Sequence, residues 1–474
     1  MRQNPRADAR QRKLLIVAGR TSAELELAAR RLLLDFEATT DKGADTTFDF
    51  APTVEPRVPY DATRWFPTGV PLSLGQLAPA EVRTFRGALG GSITVPFRIP
   101  PDVFTWPTPY LELDLAWRSL VPPGVERPEL VLELNGHYLG RLTLDPDPVE
   151  AEHQTRTIRV PTTALRGFNE LHAHVVPASS ACPDPEAELV EVELLADSIL
   201  HLEGHERFRP MPDLDSFVDD GFPFTVMADL SQTVIALPPS PLPEELGAAL
   251  SFIAHSTAIT GVAPLGLTFS LSPEPDPAAM THKDILVIGA AGRLAGYAAW
   301  ESRMPIRGLA NPTSTATAIQ LPSIPWTHEA LAFLQGEPLS EDLSRLARAL
   351  KPGPTRAFAV GFESPFTPGR SVVLLSADTA ASLPSLPDLK GYSDALRRQA
   401  DVLVLSDDRR ASFRVLPGYD HGSLPPFLRF LWFISSHWVV LLPTLFIAAM
   451  LFATVMRRRL MNVAYRRLTH EDRA

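Results

Sequence analysis

Aromatic side chains beside short alternating segments are the residues of this chain best suited to binding a ligand. Trp65, Trp106, Tyr110 and Tyr138 all fall within residues 51–206, where such segments are frequent. Flat aromatic faces stack on the apolar faces of pyranose rings, so these four residues are candidate glycan contacts. The alternative for each ring is that it packs into a core or covers a sheet edge, as aromatic residues in strands commonly do.

Other residue combinations do not predict catalysis or metal binding. The chain has no GxSxG sequence, which a serine hydrolase uses to present its nucleophile. His172 and His174 share one strand face, and His201 and His205 flank Glu203, but neither pair has an evident third metal ligand. A glycosidase needs two carboxylates across a cleft, and nothing singles out such a pair. We therefore predict no catalytic residues and no metal site.

A glycine run after an apolar segment resembles a dinucleotide-binding turn only in part. Residues 285–288 are followed by Gly289, Gly292 and Gly296, which gives GxxGxxxG in place of GxGxxG. No acidic residue that would bind a ribose follows at a suitable place. We interpret the run as a strand-to-helix turn in a domain without a cofactor.

The alternation of apolar and polar residues predicts two kinds of domain. Between residues 61 and 206 the period is two, and Asn135–Gly136 between alternating runs predicts a hairpin. This pattern indicates an antiparallel β-sandwich, of jelly-roll type. From about residue 222, strand-like segments alternate with helical ones, which predicts a largely parallel sheet covered on both faces. The predicted strands there are 233–237, 265–271, 285–288, 356–361, 372–376, 402–406 and 413–416; the predicted helices are 243–261, 294–300, 327–334, 339–350 and 378–399.

Both ends of the chain carry further predictions. Residues 14–17 are predicted to form a buried strand before an amphipathic helix capped by Ser22, which is the end of an α/β domain whose beginning is missing. Residues 437–456 contain no charged side chain and are long enough to span a bilayer, with Pro443 tolerated near the helix start. Arg457, Arg458 and Arg459 follow and are expected to hold this end in the cytoplasm.

Charge and cysteine content narrow the possible partners. The net charge is −11, and the acidic excess is larger without the tail after residue 456, which holds six Arg against two acidic residues. An acidic body does not suit nucleic acid, whose recognition needs basic surface. Cys182 is the single cysteine, so no disulfide forms within the chain.

Several longer runs are similar to one known family. They are DDGFPFTVMADLSQTVIALPPSPLPEELGAALSFIAHSTAITGVAPLGLTFSL, DILVIG, AFAVGFESPFTPGRSVVLLSAD and FLRFLWFISSHW followed by an apolar segment and RRRL. In these runs and in the order of its parts the chain resembles the periplasmic B subunit of bacterial cellulose synthase. That family alternates two carbohydrate-binding-like jelly rolls with two flavodoxin-like domains, and this chain resembles its C-terminal half.

The resemblance implies six parts. They are a remnant of a first flavodoxin-like domain (1–50), a jelly roll (51–206), a second flavodoxin-like domain (207–420), an interfacial amphipathic segment (421–436), a transmembrane helix (437–456) and a basic cytoplasmic tail (457–474). The expected localisation is the bacterial inner membrane, single-pass, with the body in the periplasm. Trp432, His437, Trp438 and Pro443 are then the expected anchor and partner-docking residues.

The resemblance also implies a non-catalytic accessory role. The expected partners are the catalytic subunit of cellulose synthase, nascent cellulose and the inner membrane, with the missing N-terminal half or other copies of the chain as further possibilities, and no nucleic acid. The family is named for binding cyclic di-GMP, but Arg2–Arg6 has no barrel after it and Val234 replaces the glycine of the motif that Asp229 begins. We therefore predict no cofactor from the residues. The alternative function is an anchored periplasmic enzyme that processes glycans.

Overall fold

The computed structural model describes residues 2–3, 13–34, 47–48, 50, 54–66, 69, 71–87, 90–106, 108–122, 127–144, 153–176, 190–309, 339–350, 356–385, 388–389, 399–406, 409–436 and 438–471. Within these ranges the chain forms mostly antiparallel β-sheets accompanied by helices. The helix predicted over residues 327–334 and half of the one predicted over 378–399 lie outside the described residues.

The N-terminal segment is a short strand pair and one helix. Strands β1 (Arg2–Gln3) and β2 (Lys13–Leu14) pair antiparallel, and α1 spans Ser22–Leu34. The helix begins where the sequence predicts, but the cap is Thr21, whose hydroxyl accepts a hydrogen bond from the Glu24 backbone N–H at 3.2 Å. Leu25 is 44% exposed, so the apolar face of α1 stays largely uncovered by the described residues.

The next part of the chain is a sandwich of two antiparallel sheets. Its elements are β3 (Leu72–Ser73), α2 (Leu74–Leu77), α3 (Ala80–Arg83), β4 (Thr84–Gly87), β5 (Ser92–Arg98), β6 (Val103–Phe104), β7 (Tyr110–Leu120), β8 (Glu129–Leu134), β9 (His137–Thr143), β10 (Gln154–Pro161), a 3₁₀ turn (Thr162–Ala164), β11 (Phe168–Val176), β12 (Val190–Leu194) and β13 (Ile199–Leu200). One sheet has the order β3-β13-β7-β12-β4 with β10 also on β7, and the other has the order β5-β11-β8-β9.

Period-two alternation builds the core of this sandwich. Leu113 and Leu115 of β7 share one buried cluster with Leu130 and Leu132 of β8, while the residues between them face outward. Burying alternate apolar side chains between two sheets removes them from water, which is the main force holding such sheets together. The predicted antiparallel sheets are confirmed.

The predicted hairpin at Asn135–Gly136 is also present. It joins β8 to β9, and both residues have positive φ angles, 51° and 77°, as a tight hairpin turn requires. The Asn135 side chain donates to the carboxamide oxygen of Asn169 at 2.9 Å and accepts from the Glu170 backbone N–H at 3.0 Å. The turn is therefore tied to β11 as well as to its own strands.

The remaining elements form an α/β domain around a seven-stranded sheet. They are β14 (Glu206–Met211), α4 (Leu214–Asp220), a 3₁₀ turn (Phe224–Val226), β15 (Thr233–Ala236), α5 (Pro243–Thr260), β16 (Thr268–Ser270), α6 (Pro277–Met280), β17 (Asp284–Ala290), a 3₁₀ helix (Ala295–Ser302), α7 (Leu339–Ala349), β18 (Arg356–Glu363), β19 (Ser371–Ala377), a 3₁₀ turn (Ala380–Ser382), β20 (Val402–Ser406), β21 (Arg409–Phe413) and β22 (Tyr419–Gly422). The strand order is β16-β15-β17-β19-β18-β20-β21.

Only one half of this sheet is parallel. Strands β16, β15, β17 and β19 run parallel, whereas β18, β20 and β21 are joined by antiparallel pairing. The prediction of a largely parallel sheet is wrong for the second half, because residues 364–370 between β18 and β19 are too few for a crossover helix and form a hairpin. Buried clusters cover both faces of the sheet, as predicted.

Two contacts described here join the sandwich to the α/β domain: a strand pairing and an ion pair. Strand β14 pairs with β6 of the sandwich on one side and with β22 on the other. Arg98 of β5 donates a hydrogen bond at 3.0 Å to the carboxylate of Asp220, the last residue of α4. This ion pair is largely buried, with 19% and 8% of the two side chains exposed.

Burial of acidic groups predicts that stability depends on pH. Burial raises the pKa of Asp220 to about 7, and the guanidinium of Arg98 opposes this rise only in part. Asp220 therefore binds its proton more tightly in the folded chain than in the unfolded chain, where the pKa is about 4. Its contribution to the free energy of unfolding is present below about pH 4 and is lost as the pH rises through about 7. Asp220→Asn should remove this part of the pH dependence, measured by urea unfolding of both proteins at several pH values across that window. Identical pH profiles would contradict the assignment.

The C-terminal helices require a correction. Helix α8 spans Pro426–Ser436 and α9 spans Trp438–Glu471, with Pro443 inside α9. The predicted membrane span over residues 437–456 is wrong: no helix in the described part of the chain is both long enough and apolar enough to cross a membrane. Helix α9 continues through the arginines at 457–459.

Of the residues predicted to dock a partner, Trp432 is in contact with this chain itself. Its ring centroid lies 5.1 Å from that of Phe208 and 6.4 Å from that of Phe104. His437 lies outside the described residues, and Trp438 is the first residue of α9. The ring of Trp432 therefore fixes α8 onto β14 and β6.

Candidate functional site

The four aromatic candidates do not form one site. Trp65 is only 6% exposed and packs among Ala62, Ala228 and Ile259, so its proposed role as a glycan contact is wrong because neither ring face is free. Trp106 is half-buried, 6.2 Å from the ring of Phe104. Tyr110 and Tyr138 are 49% and 60% exposed. They lie on different sheets of the sandwich, on β7 and β9.

The outer face of the four-stranded sheet carries a continuous polar row. Thr94, His172, Glu133 and Tyr138 lie directly opposite one another on β5, β11, β8 and β9. With neighbouring strands about 4.8 Å apart, the row extends for about 14 Å across the sheet. This surface, defined by these four residues, is called the outer-face row below.

One hydrogen bond and several close polar contacts orient the side chains of this face. The Thr94 hydroxyl and Nδ1 of His172 are 3.0 Å apart, and Nε2 of His172 lies 3.7 Å from a carboxylate oxygen of Glu170. The ring of His174 stacks on that of His172, with centroids 5.7 Å apart, and its Nε2 is 3.9 Å from Glu133. The face therefore presents oriented donors and acceptors, which suit a ligand rich in hydroxyl groups.

Phe168 is a surface aromatic that the sequence analysis does not single out. It lies on β11 on the same face as His172 and is 43% exposed. The guanidinium of Arg98 lies 4.9 Å from the centroid of the Phe168 ring and covers one side of that ring. Its position four residues before His172 on an alternating strand is the signal that identifies it.

His201 belongs to a separate cluster on the six-stranded sheet. Its Nδ1 lies 2.9 Å from a Glu203 carboxylate oxygen and its Nε2 lies 3.0 Å from one of Asp114. The hydrogen bond to Glu203, and to a smaller extent the one to Asp114, raise the pKa of His201. The pKa of Asp114 is lowered, mainly by the hydrogen bond from the Thr157 hydroxyl and next by the one from His201. A histidine that donates from both nitrogens has no lone pair for a metal ion. Across the described ranges no group of three His, Cys, Asp or Glu residues is placed to hold a metal.

The crevice at the carboxyl ends of β15 and β17 is filled by the chain itself. These neighbouring strands connect to helices in opposite directions, and such a switch point is where α/β sheets bind ligands. Here Glu245, fully buried in the first turn of α5, accepts hydrogen bonds from the Leu242 N–H at 2.8 Å and from Nε of Arg293 at 2.8 Å. Its carboxylate thus lies where a phosphate would bind a helix N-terminus.

The glycine run and the partial cyclic di-GMP motif have structural roles. A Cβ on Gly289 would lie 2.6 Å from the Leu294 side chain. The glycine therefore lets Leu294 pack against the backbone, and this explains its presence without a nucleotide. The helix that follows is of the 3₁₀ type. The Asp229 carboxylate accepts from the Ser231 backbone N–H at 3.0 Å and so closes its own turn. Arg6 lies outside the described residues.

Comparison with known proteins places the two domains in one family. Residues 71–199 match the model described as "Cellulose synthase BcsB, second CBM domain", and residues 207–375 match "Cellulose synthase BcsB, second FD domain". The fold and surface thus define a β-sandwich with a polar and aromatic outer face, followed by an α/β domain in which the Glu245–Arg293 pair lies at the carboxyl ends of β15 and β17. The chain belongs to the cellulose synthase BcsB family.

Relatives agree along most of this chain. A "Cyclic di-GMP-binding protein" of Xanthomonas axonopodis pv. citri is 29% identical over 94% of this chain and 58% of the relative. The protein of that name from Escherichia coli is 26% identical over 97% of this chain and 60% of the relative. "Cellulose synthase 2" of Novacetimonas hansenii is 26% identical over 97% of this chain and 29% of the relative. The chain thus spans less than two thirds of the length of each of these relatives.

Solved structures give weaker similarity. The CBM36-1 domain of a multidomain xylanase from the hindgut metagenome of Trinervitermes trinervoides is 12% identical, with a TM-score of 0.16, over 25% of this chain and 73% of that domain. A similarity at this level carries no argument about function.

Proposed function

We propose that this chain is a non-catalytic accessory subunit of a bacterial cellulose synthase, where it binds and guides the β-1,4-glucan product. The observation that carries the proposal is the succession of two domains that match the BcsB models in order. The relatives are named as binding proteins or cellulose synthases, which supports a partnership with the catalytic subunit.

We further propose that the domain limits are 51–206 for a jelly roll and 207–420 for a flavodoxin-like domain without a cofactor. The parallel strands β16, β15, β17 and β19 support the flavodoxin-like assignment. The pair formed by Glu245 and Arg293 supports the lack of a cofactor, because the Glu245 carboxylate already accepts the hydrogen bond from the helix N-terminus that a phosphate group would accept.

The outer-face row is the proposed glycan path. Each sugar ring of a β-linked glucan is about as long as the spacing of neighbouring strands, about 4.8 Å, so successive rings meet successive strands. Tyr138 supplies a stacking face at one end, and His172 and Glu133 supply hydrogen-bond partners along the row. Phe168 lies four residues along β11 from His172, about 13 Å from the row, and is therefore outside this path. Tyr110 is the alternative contact, on the opposite sheet.

Binding of soluble cello-oligosaccharides tests the glycan path. Tyr138→Ala should weaken binding about tenfold, equivalent to about 1.4 kcal/mol, because it removes a stacked ring. Phe168→Ala removes an exposed aromatic ring about 13 Å from the row and should leave binding unchanged. Phe269→Ala, which removes a 48% exposed aromatic from the α/β domain, is the matched control and should bind like the wild type. Isothermal titration calorimetry measures the dissociation constant for the wild type and for the three variants.

Two outcomes would contradict the proposal. Loss of binding in Tyr110→Ala with unchanged binding in Tyr138→Ala would move the glycan to the other sheet. Release of reducing ends from the oligosaccharides by the purified chain would support the glycan-processing enzyme instead.

A further inference from the structure

A short strap, residues 60–66, contacts both the sandwich and the α/β domain. The side chain of Trp65 packs against Ala228 and Ile259 of the α/β domain. The next residue, Phe66, is 1% exposed in the sandwich core, with its ring centroid 6.2 Å from that of Phe97. Two consecutive side chains are therefore inserted into two different hydrophobic cores.

The backbone of the strap is bonded to both sides as well. The Arg64 backbone N–H donates to the carbonyl of Thr260 at 3.3 Å, and its guanidinium donates to the carbonyl of Ala258 at 2.6 Å. These carbonyls belong to the last turn of α5, whose carbonyl groups have no partner within the helix. The Phe66 N–H donates to the carbonyl of Arg98 in β5 at 2.8 Å.

Tyr60 adds a polar contact at the start of the strap. Its N–H donates to the carbonyl of Val226 in the α/β domain at 2.8 Å, and its hydroxyl donates to the buried carboxylate of Asp102 in the sandwich. Arg207 of β14 donates to the same carboxylate at 3.0 Å, and its guanidinium lies 4.1 Å from the Tyr60 ring centroid. One buried acid thus joins the strap, the sandwich and β14.

A second contact between the two domains leaves no free space. Asp220 of α4 lies against Gly167, which directly precedes β11 of the sandwich. A Cβ added to Gly167 would lie 2.0 Å from Oδ2 of Asp220, so only glycine permits this approach. The Arg98–Asp220 ion pair lies at the same contact.

We propose that the strap and the Gly167–Asp220 contact fasten the sandwich and the α/β domain into one rigid body. The direction of the outer face of the four-stranded sheet is then fixed relative to the α/β domain, independently of any ligand. This inference concerns the mechanics of the chain and does not depend on the proposed function.

Pulsed electron–electron double resonance, which measures the distance between two spin labels, tests whether the two domains form one rigid body. The labels are attached at Thr155→Cys on the sandwich and Leu250→Cys on α5, both exposed, in the full chain with Cys182→Ser so that no other thiol reacts. The expected result for this background is one narrow distance distribution. Trp65→Ala should broaden it several-fold, because one of the two anchoring side chains is lost.

A steric wedge supplies a test that does not rely on removing a core residue. Gly167→Ala should shift or broaden the distribution, since the methyl group displaces Asp220. The double variant Gly167→Ala/Asp220→Ala should return it towards the background width. Tyr110→Ala, a surface aromatic away from the contact, is the matched control and should leave it unchanged.

The proposal fails if the background distribution is already broad, or if Gly167→Ala and Trp65→Ala both keep it narrow. Circular dichroism of every variant checks that the secondary structure is retained. If Trp65→Ala does not fold, the wedge and its compensating variant still decide the question.

Discussion

Replacing Arg293 with methionine is expected to lower the free energy of unfolding by about 3 kcal/mol at neutral pH, because the carboxylate of Glu245 stays buried without its charged partner. Glu245 is fully buried, and the Arg293 guanidinium donates to both of its oxygens, at 2.8 and 3.2 Å. Methionine keeps the apolar stem of arginine but has neither the guanidinium group nor its charge. Urea unfolding followed by circular dichroism measures the change.

The matched control for this variant is Arg429→Met. Arg429 also pairs with a carboxylate, that of Asp420 at 2.6 Å, but its side chain is 62% exposed. Exposed ion pairs contribute about 0–1 kcal/mol, so this variant should unfold nearly as the wild type does. The double variant Arg293→Met/Glu245→Gln should regain part of the lost stability, because it removes the unpaired charge. Equal losses for Arg293→Met and Arg429→Met would show that Glu245 does not depend on its partner.

The second large effect is expected at Phe66. Phe66→Ala should reduce the free energy of unfolding by about 3–5 kcal/mol, since a fully buried phenylalanine leaves a cavity that its neighbours fill only partly. The ring is 1% exposed and contacts the ring of Phe97 edge-on. Thermal and urea unfolding of the full chain provide the measurement.

Phe269→Ala is the control for Phe66→Ala. It also removes a phenylalanine ring, but this ring is 48% exposed on the edge strand β16, so the loss should be within about 0.5 kcal/mol. A loss at Phe66 as small as that at Phe269 would mean that Phe66 is not part of the sandwich core.

Local sequence patterns predict much of the secondary structure correctly. Alternation over β7 and β8 predicts their buried faces, and the Asn135–Gly136 pair predicts the turn that joins β8 to β9. Pro243 and Gly261 predict the ends of α5, and Gly261 has the positive φ, 72°, of a helix C-terminus. These features depend on residues close together in the chain, so a single sequence contains the information.

The candidate site is predicted less completely. Tyr138 is exposed on a sheet face, but Trp65, an equally good aromatic candidate by type, is buried against another domain. The partners of His172 across the sheet, Thr94 and Glu133, come from strands far apart in the sequence. Phe168 follows from the alternation of β11, yet only the folded chain shows that Arg98 covers one side of its ring.

Patterns within the sequence predict the antiparallel sandwich, the hairpin at Asn135, the ends of helix α5 and the family resemblance. Three features become visible only in the folded chain: half of the second sheet is antiparallel, Glu245 and Arg293 pair at the ends of β15 and β17, and Trp65 and Phe66 enter two different hydrophobic clusters. The physical reason is that period and turn chemistry act over a few residues. Burial, in contrast, depends on which distant segment covers a side chain, and a local pattern does not identify that segment.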